Sequence, residues 1–303
     1  MTQRTPSAGG PPADAPPIPH DDSRGGGPVA GRLAQLWRYP VKSMLGERLP
    51  AADVDTAGVA GDRRLALRHR DTGRVASAKH PRLWRDLLTL RAAGAAPGPV
   101  RVTLPDGREV SSVDDDVDGV LSRVLGAPVT LIDRPPAGAT LDRADPEAVL
   151  ADGLAAEVPV VANPLGAAAP GTFFDFAPVH LVTTATLARL AAEMPGGTLD
   201  AARYRPNLVV EVDAEAFAEN DWVGRELRIG PRLVLRVLAP TPRCAVPTLA
   251  HGSLPRQSDA LRVPARLNRV APLPQLGPQP CVGAYAQVVR GGQVEQGSAV
   301  EVG

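Results

Sequence analysis

The sequence predicts an α+β protein that is predominantly β, and three observations carry that expectation. Short apolar runs with strand-like alternation recur from Leu33 to the C-terminus. Turn residues separate them at short intervals, with 30 Gly and 33 Pro in 303 residues. Two stretches, SSVDDDVDGVLSRVLG and ATLARLAAEM, read as helices. In the C-terminal half, many short strands around one helix suggest a closed or strongly curved sheet.

Residues 1–30 are rich in Pro, Gly, Ala and Ser and contain Gly25-Gly26-Gly27. Such a stretch cannot bury enough apolar surface to offset its ordering entropy, so a disordered tail is expected. No Lys-Ser/Thr follows the triple glycine, as a phosphate loop would need. Residues 31–135 read as a β-rich N-terminal domain opened by the strand LAQLWRYPV. RLALRHRDTGRVAS reads as a hairpin turning at Asp71-Thr72-Gly73, with Leu65 and Leu67 on one face. VRVTLPDGREV is a second hairpin, whose Asp106-Gly107 suits a type I′ turn. Ser111 or Ser112 is expected to cap the following helix and Gly126 to close it. Asp114, Asp115 and Asp116 resemble a metal cluster, but acidic residues in a first helical turn complement the helix dipole. PVTLIDR adds a strand, and residues 136–172, rich in Ala, Pro and Gly, read as a linker or surface segment. The block 173–303 begins with the strand VHLVT and a helix capped by Thr184 or Thr186 and ended by Gly196-Gly197. RPNLVVEV follows, then two strands joined at Gly230-Pro231, then two or three more around Gly291-Gly292 and Gly297.

The chain is 44% hydrophobic and 22% charged, as a globular protein is. Its 33 Lys+Arg and 33 Asp+Glu cancel, so no global field attracts nucleic acid or an acidic membrane. Two cysteines are too few for a disulfide framework, which points to a reduced, cytoplasmic protein. No apolar run is long enough for a bilayer, and the start lacks the apolar centre of a signal peptide.

Cys244 follows an apolar strand in APTPRCAVPT, where Pro240 and Pro242 stop the strand and Arg243 precedes the thiol. A nearby guanidinium favours the thiolate, the form that binds metals or attacks electrophiles. A buried core cysteine is the alternative. Basic and polar residues cluster in three further loops: Lys42 and Ser43, the run Gly61 to Arg64 containing Arg63, and the run Arg203 to Asn207 containing Arg205. Lys, Ser, Arg and Asn are the donors that hold phosphate. Each could equally be a solvated or turn residue, and their joint meaning depends on the fold. None of the five histidines shows paired metal-ligand spacing, although His251 could serve Cys244 as a base in a metal-free thiol enzyme.

Taken in order, LWRYPVKSMLGERL, GVAGDRRLAL, RVASAKHPRL, FDFAPVHLVTTATLARL, YRPNLVVEV, FAENDWVGRELRIG, APTPRCAVPT and GAYAQVV resemble the MOSC-domain family. The resemblance is to its two-domain members, which include the mitochondrial amidoxime-reducing components. It implies a MOSC-type β-barrel core with an N-terminal companion domain, and a molybdenum–pterin cofactor. By the family's motifs, Cys244 would ligate molybdenum and be the catalytic residue. Lys42, Ser43, Arg63, Arg205, Asn207 and Arg243 would hold the cofactor, with Asp175 and Ser77 as further candidates. The implied activity is reduction of N-hydroxylated or related oxygenated small molecules. A thiolate is a soft ligand suited to such a metal, and the cofactor would carry the redox step. The four-cysteine spacing of an iron–sulfur protein is absent, so a separate electron-donor protein of ferredoxin, flavin reductase or cytochrome type would be needed. A sulfur-carrier or cofactor-handling module with a Cys244 persulfide is the second reading. The family's late Phe-Gly reads Val282-Gly283 here, and Cys281 beside it reads as a core residue.

Overall fold

The computed structural model describes residues 29–95 and 98–303, so the tail expected at residues 1–30 lies almost wholly outside the described residues. Seven strands, numbered here in chain order, close a barrel. They are β1 (Val29–Arg38), β2 (Val179–Thr183), β3 (Leu208–Val212), β4 (Glu226–Ile229), β5 (Leu233–Pro242), β6 (Gln279–Arg290) and β7 (Ala299–Val302). The ring runs β2-β3-β1-β7-β4-β5-β6 and returns to β2, antiparallel everywhere except between β2 and β3. Closure leaves no unpaired edge in the ring. The predominantly β, α+β class read from the sequence is therefore the class observed.

Period-two alternation sorts the side chains. Val179 and Leu181 of β2 and Leu208 and Val210 of β3 fill the barrel with Leu227, Ile229, Leu235 and Val300. Val182 and Val209, one residue out of phase, face outward against Leu190 and Tyr204. β1 breaks the alternation: Leu33 and Leu36 both point inward, because a bulge lies between Leu33 and Gln35. A second core collects Val41, Leu67, Trp84, Leu90, Val102, Leu121 and Val129.

Several local expectations change. Residues Ala66–His69 do turn back at Thr72-Gly73, but their ladder partner is Val129–Ile132; the return strand contributes only the bridge Arg68↔Val75. The hairpin Arg101–Thr103 with Glu109–Ser111 forms, with a three-residue loop instead of a type I′ turn. Pro105 cannot adopt positive φ, so the chain turns through Pro105-Asp106 and takes φ +84° only at Gly107. The first long helix is Val117–Leu125, with Asp116 and not Ser111 or Ser112 at its start; Gly126 closes it in the left-handed conformation. Asp114 instead accepts from the Ser111 backbone N–H at 2.7 Å. Thr183, not Thr184 or Thr186, caps the helix Thr184–Ala191, accepting from Thr186 N at 3.0 Å.

Residues 136–172 hold more structure than a linker. Thr140–Ala144 pairs with Val160–Pro164, and the helix Pro146–Asp152 lies between them, with Leu141, Ala144 and Val149 buried. The barrel also draws on both halves of the chain. β1 sits between β3 and β7, and the strand Ala51–Asp55 pairs with Gly292–Glu295. No helix among the described residues is long and apolar enough to cross a membrane.

Candidate functional site

The turns that leave β1 and β5, the turn that enters β3 and the segments 77–79 and 173–175 converge on one open cleft with about 820 Å³ of empty space. All nine residues singled out in the sequence line it: Lys42, Ser43, Arg63, Ser77, Asp175, Arg205, Asn207, Arg243 and Cys244.

Local sequence explains how each arrives. Pro40 ends β1 after Tyr39, and the chain turns through Lys42-Ser43, with Ser43 at φ +64°. Ser43 Oγ accepts from Ala78 N at 3.1 Å, which ties this turn to the segment carrying Ser77. Arg63 sits at φ +47°, its N–H bonded to Tyr39 O at 2.8 Å. Arg205 ends the short helix Ala201–Tyr204 at φ +55°, and Pro206 then forces the chain out towards β3. Four non-glycine residues take positive φ among the described residues, and three of them are Ser43, Arg63 and Arg205. Backbone strain is thus concentrated at the cleft, where such strain is stored for function in other proteins.

The electrostatics are one-sided. Lys42, Arg63, Lys79, Arg143, Arg203, Arg205 and Arg243 line the cleft against a single carboxylate, Asp175. In a chain of zero net charge this is a local concentration of positive charge, suited to an anion. Lys42 Nζ donates to Asp175 at 2.6 Å and to Phe173 O at 2.8 Å, and Lys79 Nζ reaches the other Asp175 oxygen at 3.0 Å. Burial pulls Lys42 down to about 8, against the opposing pull of Asp175. Burial also acts on Lys79, but Asp175 and then Cys244 outweigh it and hold that lysine above its usual value. Burial would raise Asp175, yet Lys42 and Lys79 together keep it well below the carboxylate range.

At the other end two guanidiniums share one ring: Arg205 lies 4.3 Å and Arg63 4.9 Å from the Tyr39 centroid. Arg63 pairs with Asp62 and donates to Asn207 Oδ1 at 3.3 Å. Arg205 donates to Met44 O at 2.6 Å, while its buried Nη2 has no protein partner among the described residues. Burial, then repulsion by Arg63, lowers Arg205 to about 10. Asn207 is committed to the scaffold, since its Oδ1 also accepts from His180 N at 3.1 Å. Arg243 donates to Tyr204 O at 3.0 Å and Arg203 to three backbone carbonyls, so both brace the walls.

Cys244 is half-buried and opens to the cleft. His251 does not: it is 3% exposed, lies off the cleft lining, and its Nδ1 engages Leu249 O at 3.0 Å. Burial lowers it to about 4, and no hydrogen bond joins it to Cys244 among the described residues. The thiol–imidazole pairing considered from the sequence is not formed. Cys281 is fully buried in β6, and burial raises its thiol to about 11.

The sequence reading missed Lys79, Arg143, His180 and Tyr285, which also line the cleft. Lys79 stood two residues from Ser77 in RVASAKHPRL and was readable; Arg143 lay in the segment taken as a linker. His180 faces a carbonyl oxygen from each ring nitrogen, Arg205 O at 3.4 Å and Val282 O at 3.3 Å. Burial and then Arg243 hold it well below its usual value, so it is neutral and can donate to only one of them.

Two family models agree with this architecture. The MOSC domain model matches residues 169–301, and that of the MOSC N-terminal beta barrel domain matches residues 30–127. Among solved structures, the YUAD protein from Bacillus subtilis is 12% identical, covering 91% of this chain and 96% of that one at a TM-score of 0.41. YiiM from Geobacillus stearothermophilus is also 12% identical, covering 42% of this chain and 54% of that one at a TM-score of 0.29. No curated protein matches the chain.

Proposed function

The chain belongs to the MOSC-domain family, of the two-domain type, and from that premise we propose that the cleft binds a phosphate-bearing molybdenum–pterin cofactor with Cys244 as the sulfur ligand to the metal. One observation carries the proposal: a half-buried thiol opens into the same cleft as seven basic side chains and one carboxylate. The residues present fit the group. Arg205 keeps a buried N–H with no protein partner, which an anion would satisfy. Arg63 and Arg205 crowd one aromatic ring, and a phosphate between them would offset their repulsion.

On this reading Lys42, Arg63 and Arg205 hold the anionic end, with Ser43, Ser77 and Asn207 fixing the loops that carry them. Arg243 braces the Cys244 turn through Tyr204 O and Thr241 O. Bound there, the cofactor would supply two-electron redox chemistry towards N-hydroxylated or related oxygenated substrates. Electrons would come from a separate protein. Asp175 would orient Lys42 and Lys79, opposing the burial that pulls Lys42 down and holding Lys79 above its usual value.

The test is the molybdenum and pterin content of the chain purified from a cofactor-producing host. About one equivalent of each is expected for the wild type, with molybdenum lost in Cys244→Ser. Molybdenum that stays unchanged in Cys244→Ser would refute the ligand assignment. Intact-mass measurement after exposure to a sulfur donor separates the second reading: 32 mass units added on Cys244 without metal would indicate a sulfur carrier (~32 being the mass of one sulfur atom).

A further inference from the structure

Arg143 differs from every other cation in the cleft. Lys42 and Lys79 are paired with Asp175, and Arg63 with Asp62. Arg203, Arg205 and Arg243 donate to backbone carbonyls. Among the described residues the Arg143 side chain has neither a hydrogen bond nor an ion pair, yet it lines the cleft and is partly buried. Its guanidinium is therefore uncommitted to the scaffold and open to an anion in the cleft, whereas the other cations are already engaged by protein groups.

Its position in the fold says which end of the cleft it serves. Arg143 lies on the strand Thr140–Ala144, whose pairing with Val160–Pro164 keeps it in register. The next residue, Ala144, donates its N–H to Lys79 O at 2.9 Å and is buried with Ala245, the residue after Cys244. The strand is therefore fastened to both Lys79 and the Cys244 turn. The anion-holding pair Arg63 and Arg205 gathers around Tyr39 instead. Arg143 also comes from residues 128–168, which lie between the stretches matched by the two domain models.

We infer that Arg143 is a specificity-determining residue that selects small substrates carrying a carboxylate or similar anion at the Lys79 and Cys244 end of the cleft. The inference rests on the cofactor reading for the reaction, but the anion preference is measurable without it.

The experiment uses full-length wild type, Arg143→Ala and Arg143→Lys from a cofactor-producing host. Each is titrated calorimetrically with 4-carboxybenzamidoxime and with its uncharged match, 4-carbamoylbenzamidoxime. Wild type is expected to bind the carboxylate more tightly by about tenfold, the scale of one charge-assisted hydrogen bond. Arg143→Ala should bind both equally, and Arg143→Lys should recover part of the preference. Molybdenum and pterin content should be the same in all three. A wild type without the preference, or an Arg143→Ala chain that retains it, overturns the inference. So does cofactor loss in Arg143→Ala, which would place Arg143 on the cofactor itself. If the wild type carries no molybdenum, the cofactor reading fails; an Arg143-dependent carboxylate preference in that metal-free chain would still uphold the inference, and its absence would end it.

Discussion

Lys42→Met should make the protein more stable while reducing its anion binding. The lysine ammonium is buried beside one carboxylate that it shares with Lys79. Lowering from the ordinary 10.5 to about 8 means that the folded state disfavours the charged form by roughly 3 kcal/mol. Methionine keeps most of the buried stem and removes the charge. Phe173 O then loses its donor, which costs about 1–2 kcal/mol. Asp175 retains Lys79. The balance is a gain of about 1–2 kcal/mol at pH 7. The sign of its pH dependence follows from the lowered value. Between about pH 8 and 10.5 the unfolded chain binds the proton that the folded chain has released. Wild-type stability therefore rises through that window relative to the variant. The charge's share of that advantage should be complete below pH 8 and gone above about 10.5, where the lost donor to Phe173 O leaves the variant about 1–2 kcal/mol less stable than wild type. Urea denaturation followed by tryptophan fluorescence at pH 7 and pH 10 measures it, alongside molybdenum content. A variant that is less stable at pH 7, or whose advantage does not change with pH, would show that Lys42 is a structural ion-pair partner and not a charge held for a ligand.

Thiol titration of the native chain should find one reactive cysteine, Cys244, and a second only after unfolding, because Cys281 is fully buried with its thiol raised to about 11. The pH profile of Cys244 alkylation should be the same in His251→Ala, since no hydrogen bond links the two. Gly283→Ala should cost more than about 3 kcal/mol or prevent folding, read by thermal denaturation. Gly283 sits at φ +74°, and an added Cβ would lie 2.3 Å from Leu181 O. Glu219→Gln should stabilise the fold at pH 7, since Glu219 is fully buried and burial disfavours its charged form. Burial raises this carboxyl, so its contribution is intact below about 4.5 and declines as pH rises; the variant's advantage should disappear in acid.

The sequence by itself determined which segments supply the seven barrel strands and which residues could hold an anion or a metal. Leu208–Val212 and Leu233–Pro242 were legible as strands because they are short apolar runs rich in valine, and both faces of each are largely buried. Ser43, Arg63, Arg205 and Cys244 were legible because they stand in loops next to strands, where chemistry-bearing residues collect. Tertiary structure alone decided the rest. β1 closes its ring against β3 and β7, strands that come more than 150 residues later in the chain, and no local pattern encodes a partner so distant. Thr183 takes the helix cap from Thr184 and Thr186 only because β2 ends there, and Pro105 overrides the turn that Asp106-Gly107 favours. Arg143 gave no sign at all: its strand acquires meaning when Ala144 packs with Ala245 and the cation comes to line the cleft that the thiol also lines. Local propensity is written over a few residues, whereas a cleft exists only once distant loops have been brought together by the burial of what lies beneath them.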